Sequence, residues 1–218
     1  MSVGKELEAM ERIKETLFCR HPWSEDLIRP TIFKLRSLIP DDPDIDRMLR
    51  TLQYDRHLGG QYSWLASFVK TEGLSELELS IHLDDKAASF LKNSVVKKGG
   101  YWVLAENTNN QNLRLFENFR FPLLGFTKKD MHRISVEHNF ADIMEMTWFC
   151  HSPRRDGQPC GHCNPCQYTK QEGLGRRVRD MNLLEHLYYQ AVTGAKRMLK
   201  PAISKYKDIE PNSAGLKP

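Results

Sequence analysis

Long apolar runs are absent from this sequence: no stretch approaches the roughly 20 residues that a bilayer-spanning helix needs. A membrane-embedded fold is therefore not expected. The opening stretch, MSVGKELEAMERIKETLF, carries no apolar signal core and instead mixes charged with hydrophobic residues. Export is not expected, and a reduced, cytoplasmic setting is. No internal repeat is visible. A strong charge of one sign is lacking too. The net charge of +4 over 218 residues gives by itself no argument for nucleic acid. The basic residues are nonetheless uneven: RR at 154–155, RRVR at 176–179 and KRMLK at 196–200 make the last third distinctly basic, which is read first as a solvated face. The hydrophobic fraction of 40% suits one sizeable domain, or one domain with an appendage.

Cysteine is scarce as well, with five residues in the chain, but four of them fall in one window. Cys150, Cys160, Cys163 and Cys166 lie in TWFCHSPRRDGQPCGHCNPC, the last three spaced two residues apart. Gly161 permits positive φ, and Pro165 removes an N–H and blocks a regular helix, so tight turns are expected to point the sulfurs inward. Four thiolates match the tetrahedral preference of structural zinc. A shell filled by protein leaves no open position for water or substrate, so such a site folds the chain rather than catalysing. An iron–sulfur cluster and unliganded thiols are the competing readings, while a disulfide would need an oxidising compartment. His151 or His162 could replace a thiolate, though each reads more simply as a turn residue. Arg154, Arg155, Arg176 and Arg177 are placed to offset the excess negative charge. Cys19 stands alone and reads as a buried small hydrophobe.

Along the chain, Leu7, Met10, Ile13, Leu17 and Phe18 predict a helix over residues 4–18. Ser24 is placed to cap a second, running over Leu27, Ile28, Ile32, Phe33, Leu35 and Leu38, with Pro30 in or near its first turns. IPDDPD is a break. Asp44 or Asp46 then opens a helix through Met48, Leu49 and Leu52. Gly59-Gly60 interrupts, and QYSWLASFVK at 61–70 resumes as helix. LELSIHL at 77–83 alternates as a strand does, and Asp84 caps a helix over DKAASFLKNSV. YWVLAE at 101–106 is a second strand, followed by a polar loop, ENTNNQN. Pro122 and Leu123–Leu124 form a buried approach to a helix with Thr127 as N-cap, Lys128 to His138 as its body, and Asn139 suited to its C-cap. Leu183, Leu184, Leu187, Tyr188, Ala191 and Ala195 form the stripe of a long C-terminal helix.

FPLLGFTKKDM, a short helix, MTWFC and CGHCNPC follow in that order within residues 121–166. This order resembles the C-terminal half of the 7-cyano-7-deazaguanine synthases and related proteins. The resemblance implies that Cys150, Cys160, Cys163 and Cys166 are ligands of structural zinc. It also implies an α/β fold, a partial Rossmann-like sheet of the adenine nucleotide alpha-hydrolase type with helices, a four-cysteine zinc knuckle and a C-terminal helix. The expected divisions are a helix-rich α/β core over 1–146, the knuckle over 147–180, the helix over 181–208 and a tail over 209–218.

Members of that family use ATP and ammonia to convert 7-carboxy-7-deazaguanine to its nitrile, a precursor of queuosine-type nucleosides. The resemblance thus implies ATP and a deazapurine as small-molecule partners. The family's phosphate-gripping loop, Ser-Gly-Gly-x-Asp-Ser, does not occur in these residues, nor do its Pro-Gly-Arg-Asn and Tyr-Pro-Asp-Cys-Arg stretches. Gly59-Gly60 reads as a helix break, not a phosphate cradle. The expectation is a portion of a longer protein, or a diverged relative, inactive alone. Lys128, Lys129, Arg154, Arg155, Asn109 and Asn110 are candidate substrate contacts; catalytic and nucleotide-binding residues stay unassigned. The alternative is a zinc-stabilised binding subunit that docks a nucleotide-binding partner, a second copy or, less in keeping with the charge, nucleic acid.

Overall fold

The structure is a computed structural model that describes residues 2–180, together with residues 182, 187 and 191. Apart from those three positions, the helix expected over 181–208 and the tail over 209–218 fall outside the described residues. No described helix is long and apolar enough to cross a membrane. The chain divides into two compact units. One comprises Lys14–Glu145; the other joins the chain start through Ile13 to the segment from Met146 onward.

Helix α1 spans Ser2–Arg20, two residues beyond the expected stretch at each end. Cys19, near its end, is exposed rather than buried. It lies on a helix that buries Ala9 alone, so no core reaches it.

The larger unit is mixed α/β. Helix α2, Pro43–Asp55, buries Ile45, Leu49 and Leu52 at the i, i+4, i+7 spacing of one helical face. Asp42 caps it, one of its carboxylate oxygens accepting from the amides of Asp44 and Ile45 at 3.0 and 3.2 Å. Pro43 takes the first helical position, where a missing N–H costs nothing. The helix therefore opens just before the expected Asp44. Lys70 contacts the other Asp42 oxygen at 2.6 Å, and this bond, with the two amides, holds the carboxyl below its ordinary value of 3.8. Removing the cap, as in Asp42→Ala, should cost about 1 kcal/mol, read as a lower urea midpoint at unchanged slope. A depressed carboxyl stabilises above its unfolded pKa and loses that contribution as pH falls through its folded one. The gap between Asp42→Ala and the parent should therefore close below about pH 3.8.

Helix α3, Gln61–Thr71, follows the Gly59-Gly60 break and buries Tyr62, Ala66, Ser67 and Val69. The four strands are β1 (Leu77–Glu78), β2 (Val95–Lys98), β3 (Tyr101–Leu104) and β4 (Phe119–Phe121). Their order is β1-β4-β3-β2. β1 runs parallel to β4 with Leu77 opposite Phe119, while β3 is antiparallel to both β2 and β4. The expected α/β class therefore holds, as a small mixed sheet in which one pair is parallel. Phe116, Phe119 and Phe121 are fully buried. Phe116 meets Tyr62 edge-on at 5.3 Å and Phe121 at 6.1 Å, which joins α3 to the sheet.

Three expected elements differ. Residues 25–35 form no helix; Ser24 instead ends a short 3-10 turn, Pro22–Ser24, and another covers Arg36–Leu38. Pro30 explains this: its ring bars Arg29 from helical geometry and supplies no N–H. Leu27, Ile32, Phe33, Leu35 and Leu38 are all exposed. The strand at 77–83 is paired only at its start, and the helix expected after Asp84 shrinks to α4, Ala88–Leu91.

Val95, read as the end of that helix, and Val96 belong to β2, which turns into β3 through Gly99-Gly100. Gly99 has a φ of 59°, and such positive values are what a two-residue hairpin requires. Asp84 does not cap a helix beginning at Asp85. Its Oδ2 accepts from the amide of Lys128 at 3.1 Å, at the start of α5, Lys128–Glu137. Thr127 and Asp130 cap α5 reciprocally, and Asn139 takes the left-handed conformation at φ 58° beyond it. A short α6, Ala141–Glu145, completes the unit.

Candidate metal centre

Residues 147–150 form neither helix nor strand, and the Trp148 indole donates to the Cys150 carbonyl at 2.7 Å. The chain then reverses. Arg154 donates to the Gln158 carbonyl at 2.9 Å, and Gly157, at φ 80°, donates back to Arg154 at 3.0 Å. This turn returns the chain so that the Cys160 amide donates to the Cys150 sulfur at 3.2 Å. Gly161, at φ 83°, makes the next bend, and the Cys163 amide donates to the Cys160 sulfur at 3.3 Å. Helix α7, Asn164–Thr169, carries Cys166 in its first turn. Gly161 thus sits where the path bends, whereas Pro165, expected to block a helix, lies in the first turn of α7, where its missing N–H costs nothing.

The four sulfurs lie within 4.8 Å of one another. Three of the separations are 3.4 Å (Cys163–Cys166), 3.8 Å (Cys160–Cys166) and 3.9 Å (Cys150–Cys163). A disulfide needs about 2.05 Å, so these are four separate thiols. Four sulfurs bonded at about 2.3 Å to one tetrahedral ion stand about 3.8 Å apart. The donor set therefore suits one cation of that size. Cys150, Cys160 and Cys166 are buried and Cys163 half-buried, which leaves the shell closed.

Burial pushes the Cys150 thiol up to about 11 and raises Cys166 as well. Burial acts upward on Cys163 too, but the amides of Cys166 and His151 outweigh it and draw that thiol down. Cys150 and Cys166 thus resist ionisation unless a cation compensates. Binding a metal must release protons, so retention against a chelator should weaken progressively as pH falls. A pH series of metal content after dialysis against a chelator measures this.

His162 is not needed as a ligand. Its Nδ1 lies 3.0 Å from the Cys160 carbonyl oxygen, and burial together with nearby Arg154 lowers its pKa. Arg177 donates to the Thr147 carbonyl, bonds the Thr147 hydroxyl at 3.1 Å and covers the Phe149 ring at 5.0 Å. It supports the backbone that leads into Cys150. Arg154 lies 3.7 Å from Asp156. Among the other candidates, Asn110 caps the 3-10 turn Gln111–Phe116 by accepting from Asn112, while Asn109 is exposed. Lys128 and Lys129 open α5.

Sequence reasoning missed the supports of the cluster. Gln167 donates to the Gly161 carbonyl at 2.8 Å, Thr169 to the Pro165 carbonyl at 2.8 Å, and Val178 packs on the buried sulfurs. The aromatic pair directly before Cys150 was the available signal: Trp148 and Phe149 stack at 6.3 Å and pack against the cluster.

Comparison with known protein families gives a match. Residues 72–177, just under half of the chain, match a family model described as "Queuosine biosynthesis protein QueC". The match bears out the resemblance read from residues 121–166, includes all four cysteines and carries it back to the start of the sheet. No curated protein and no solved structure gives a significant match.

Proposed function

We propose that this chain serves queuosine-type deazapurine biosynthesis, as the metal-stabilised part of an ATP-dependent ligase similar to 7-cyano-7-deazaguanine synthase. The observation that carries this reading is the coincidence of two facts. The family match runs through residues 72–177, and inside it four cysteines stand at spacings suited to one tetrahedral ion. Zinc is the proposed ion and Cys150, Cys160, Cys163 and Cys166 its ligands. Bound there, it would supply a structural crosslink and no open position for chemistry. Four unpaired thiols suit a reducing compartment such as the cytoplasm. The sequence holds no Ser-Gly-Gly-x-Asp-Ser, so the reading assigns these residues the deazapurine side of the reaction and leaves the grip on ATP outside them.

Two measurements test this. Elemental analysis should find one zinc per chain; a brown protein with visible absorbance would put an iron–sulfur cluster in its place. Calorimetric titration of the metal-loaded protein with 7-carboxy-7-deazaguanine should give a saturable heat. No heat at millimolar ligand from a folded protein would overturn the deazapurine assignment.

A second reading, a binding subunit for a nucleotide-binding partner, has its own support. Ile32, Phe33, Leu35 and Leu38 are exposed within a segment that lies outside the matched residues. Co-purification with a loop-bearing partner, lost on changing Ile32 and Phe33 to serine, would favour it.

A further inference from the structure

Residues 29–35 form no helix, strand or turn. The residue before a proline favours extended backbone, and Leu35, at the other end, has φ −69° and ψ 136°. Among the described residues, no backbone group of residues 29–34 bonds to another backbone group. Ile32 is 88% exposed and its neighbour Phe33 67%. Successive side chains of an extended chain point to opposite faces, so neither face of this segment is covered. Thr31, Ile32 and Phe33 are residue types that favour strands. Unused backbone groups beside such residues are a template for pairing with another chain.

Charge decides what covers the segment. Residues 29–36 hold three cations, Arg29, Lys34 and Arg36, and no anion. Two of the three are already paired within the chain: Lys34 meets Glu72 at 2.6 Å, and Arg36 meets Asp41. The surface left over is more apolar than basic, which suits an apolar strand over an acidic peptide or an anionic membrane. The edge strand β2 is a poor mate, because its Lys97 and Lys98 would add cations. The segment fits a second copy of itself. Antiparallel pairing about Phe33 sets Phe33 against Phe33, Ile32 against Lys34 and Thr31 against Leu35. Arg36 then falls opposite Pro30 and Arg29 opposite Ser37, so no cation faces a cation. With Phe33 at a hydrogen-bonded position, Thr31, Phe33 and Leu35 exchange backbone bonds, and Pro30 sits where no N–H is asked of it.

We propose that residues 31–35 pair with the same residues of a second copy, in a two-fold antiparallel ribbon that joins two chains. Such self-complementary pairing is closed and stops at two. A two-stranded ribbon is marginal in water, so the association is weak and reversible. The proposal is independent of the deazapurine reading and competes with the binding-subunit reading for Ile32 and Phe33.

Sedimentation equilibrium of the full metal-loaded chain tests it. The mass should rise reversibly from one chain to two, with Kd of roughly 10–100 µM. Phe33→Glu and Phe33→Lys each put like charges across the axis, and each should leave single chains. Mixed in equal amounts, the two variants should pair again, because that position faces itself. Ile32→Glu should keep pairing, since Lys34 of the second copy stands opposite. Both positions are exposed, so unchanged thermal midpoints will separate a lost interface from a lost fold. A parent chain that stays single at about 300 µM overturns the proposal. So do dimers that persist in Phe33→Glu, a mixture of the two Phe33 variants that stays single, or equal loss from Ile32→Glu. Single chains that hold a loop-bearing partner through Ile32 and Phe33 would overturn it in favour of the binding-subunit reading.

Discussion

Replacing Cys166 with serine should strip the protein of its metal and unfold the segment around it. The Cys166 side chain is fully buried, with its sulfur 3.4 Å from that of Cys163 and 3.8 Å from that of Cys160. A hydroxyl there offers a poor, protonated donor at a position no solvent can reach. Structural zinc contributes about 10–16 kcal/mol to folding in small zinc domains. Loss of one thiolate in four should forfeit several kcal/mol of this, a weakening of at least about a thousandfold in metal affinity. Competition with a chromophoric chelator measures the affinity. Amide signals of residues 147–178 should collapse, since Cys160 N–H, Cys163 N–H and Val178 all depend on the cluster. Cys19→Ser is the control: that residue is exposed and should keep the metal in place. Full metal occupancy in Cys166→Ser would refute the four-sulfur assignment.

The second large effect belongs to the core. Phe116 is fully buried and makes edge-on contacts with Tyr62 and Phe121 at 5.3 and 6.1 Å. Truncation to alanine removes the ring and leaves a cavity that neither a helix nor a strand can collapse into, at a cost of about 3–5 kcal/mol. The two aromatic pairs add to area burial by about 0.5–1.5 kcal/mol each. Against a total stability of about 5–15 kcal/mol, that is a large share. For a chain of this size the thermal midpoint should fall by roughly 6–20 °C. Phe116→Leu, which keeps most of the volume, should recover more than half of the loss. A drop of less than about 3 °C for alanine would mean that Phe116 is not the keystone of the core.

What could be read in advance follows from where the information is local. The capped helix at Lys128–Glu137 was legible because Thr127, Asp130 and Asn139 each act within a few residues of themselves. The cysteine cluster was legible because four cysteines fall in one short window and three of them are spaced two residues apart. The hairpin was missed although its signal was present: Val95-Val96 before Gly99-Gly100 carries strand and turn propensity, but the run continues directly from α4 and reads as its end. Phe119–Phe121 was missed because three residues show no period at all; their pairing with Leu77–Glu78 is specified some forty residues away. The segment over residues 25–35 misled because apolar spacing suggested a helix that Pro30 forbids. Asp84 misled because its partner, the Lys128 amide, is distant in sequence.

The path from Cys150 round to Cys166 has one more consequence. An ion held by both residues bridges positions separated by about 15 residues, much as a crosslink would. Closing a loop of that length restricts the disordered chain by about 3 kcal/mol in chain entropy. Part of the effect of the metal therefore falls on the chain before it folds. A nascent or denatured chain that has captured its ion searches fewer conformations, and the order in which metal capture and sheet formation occur becomes something that refolding rates, with and without metal, can resolve.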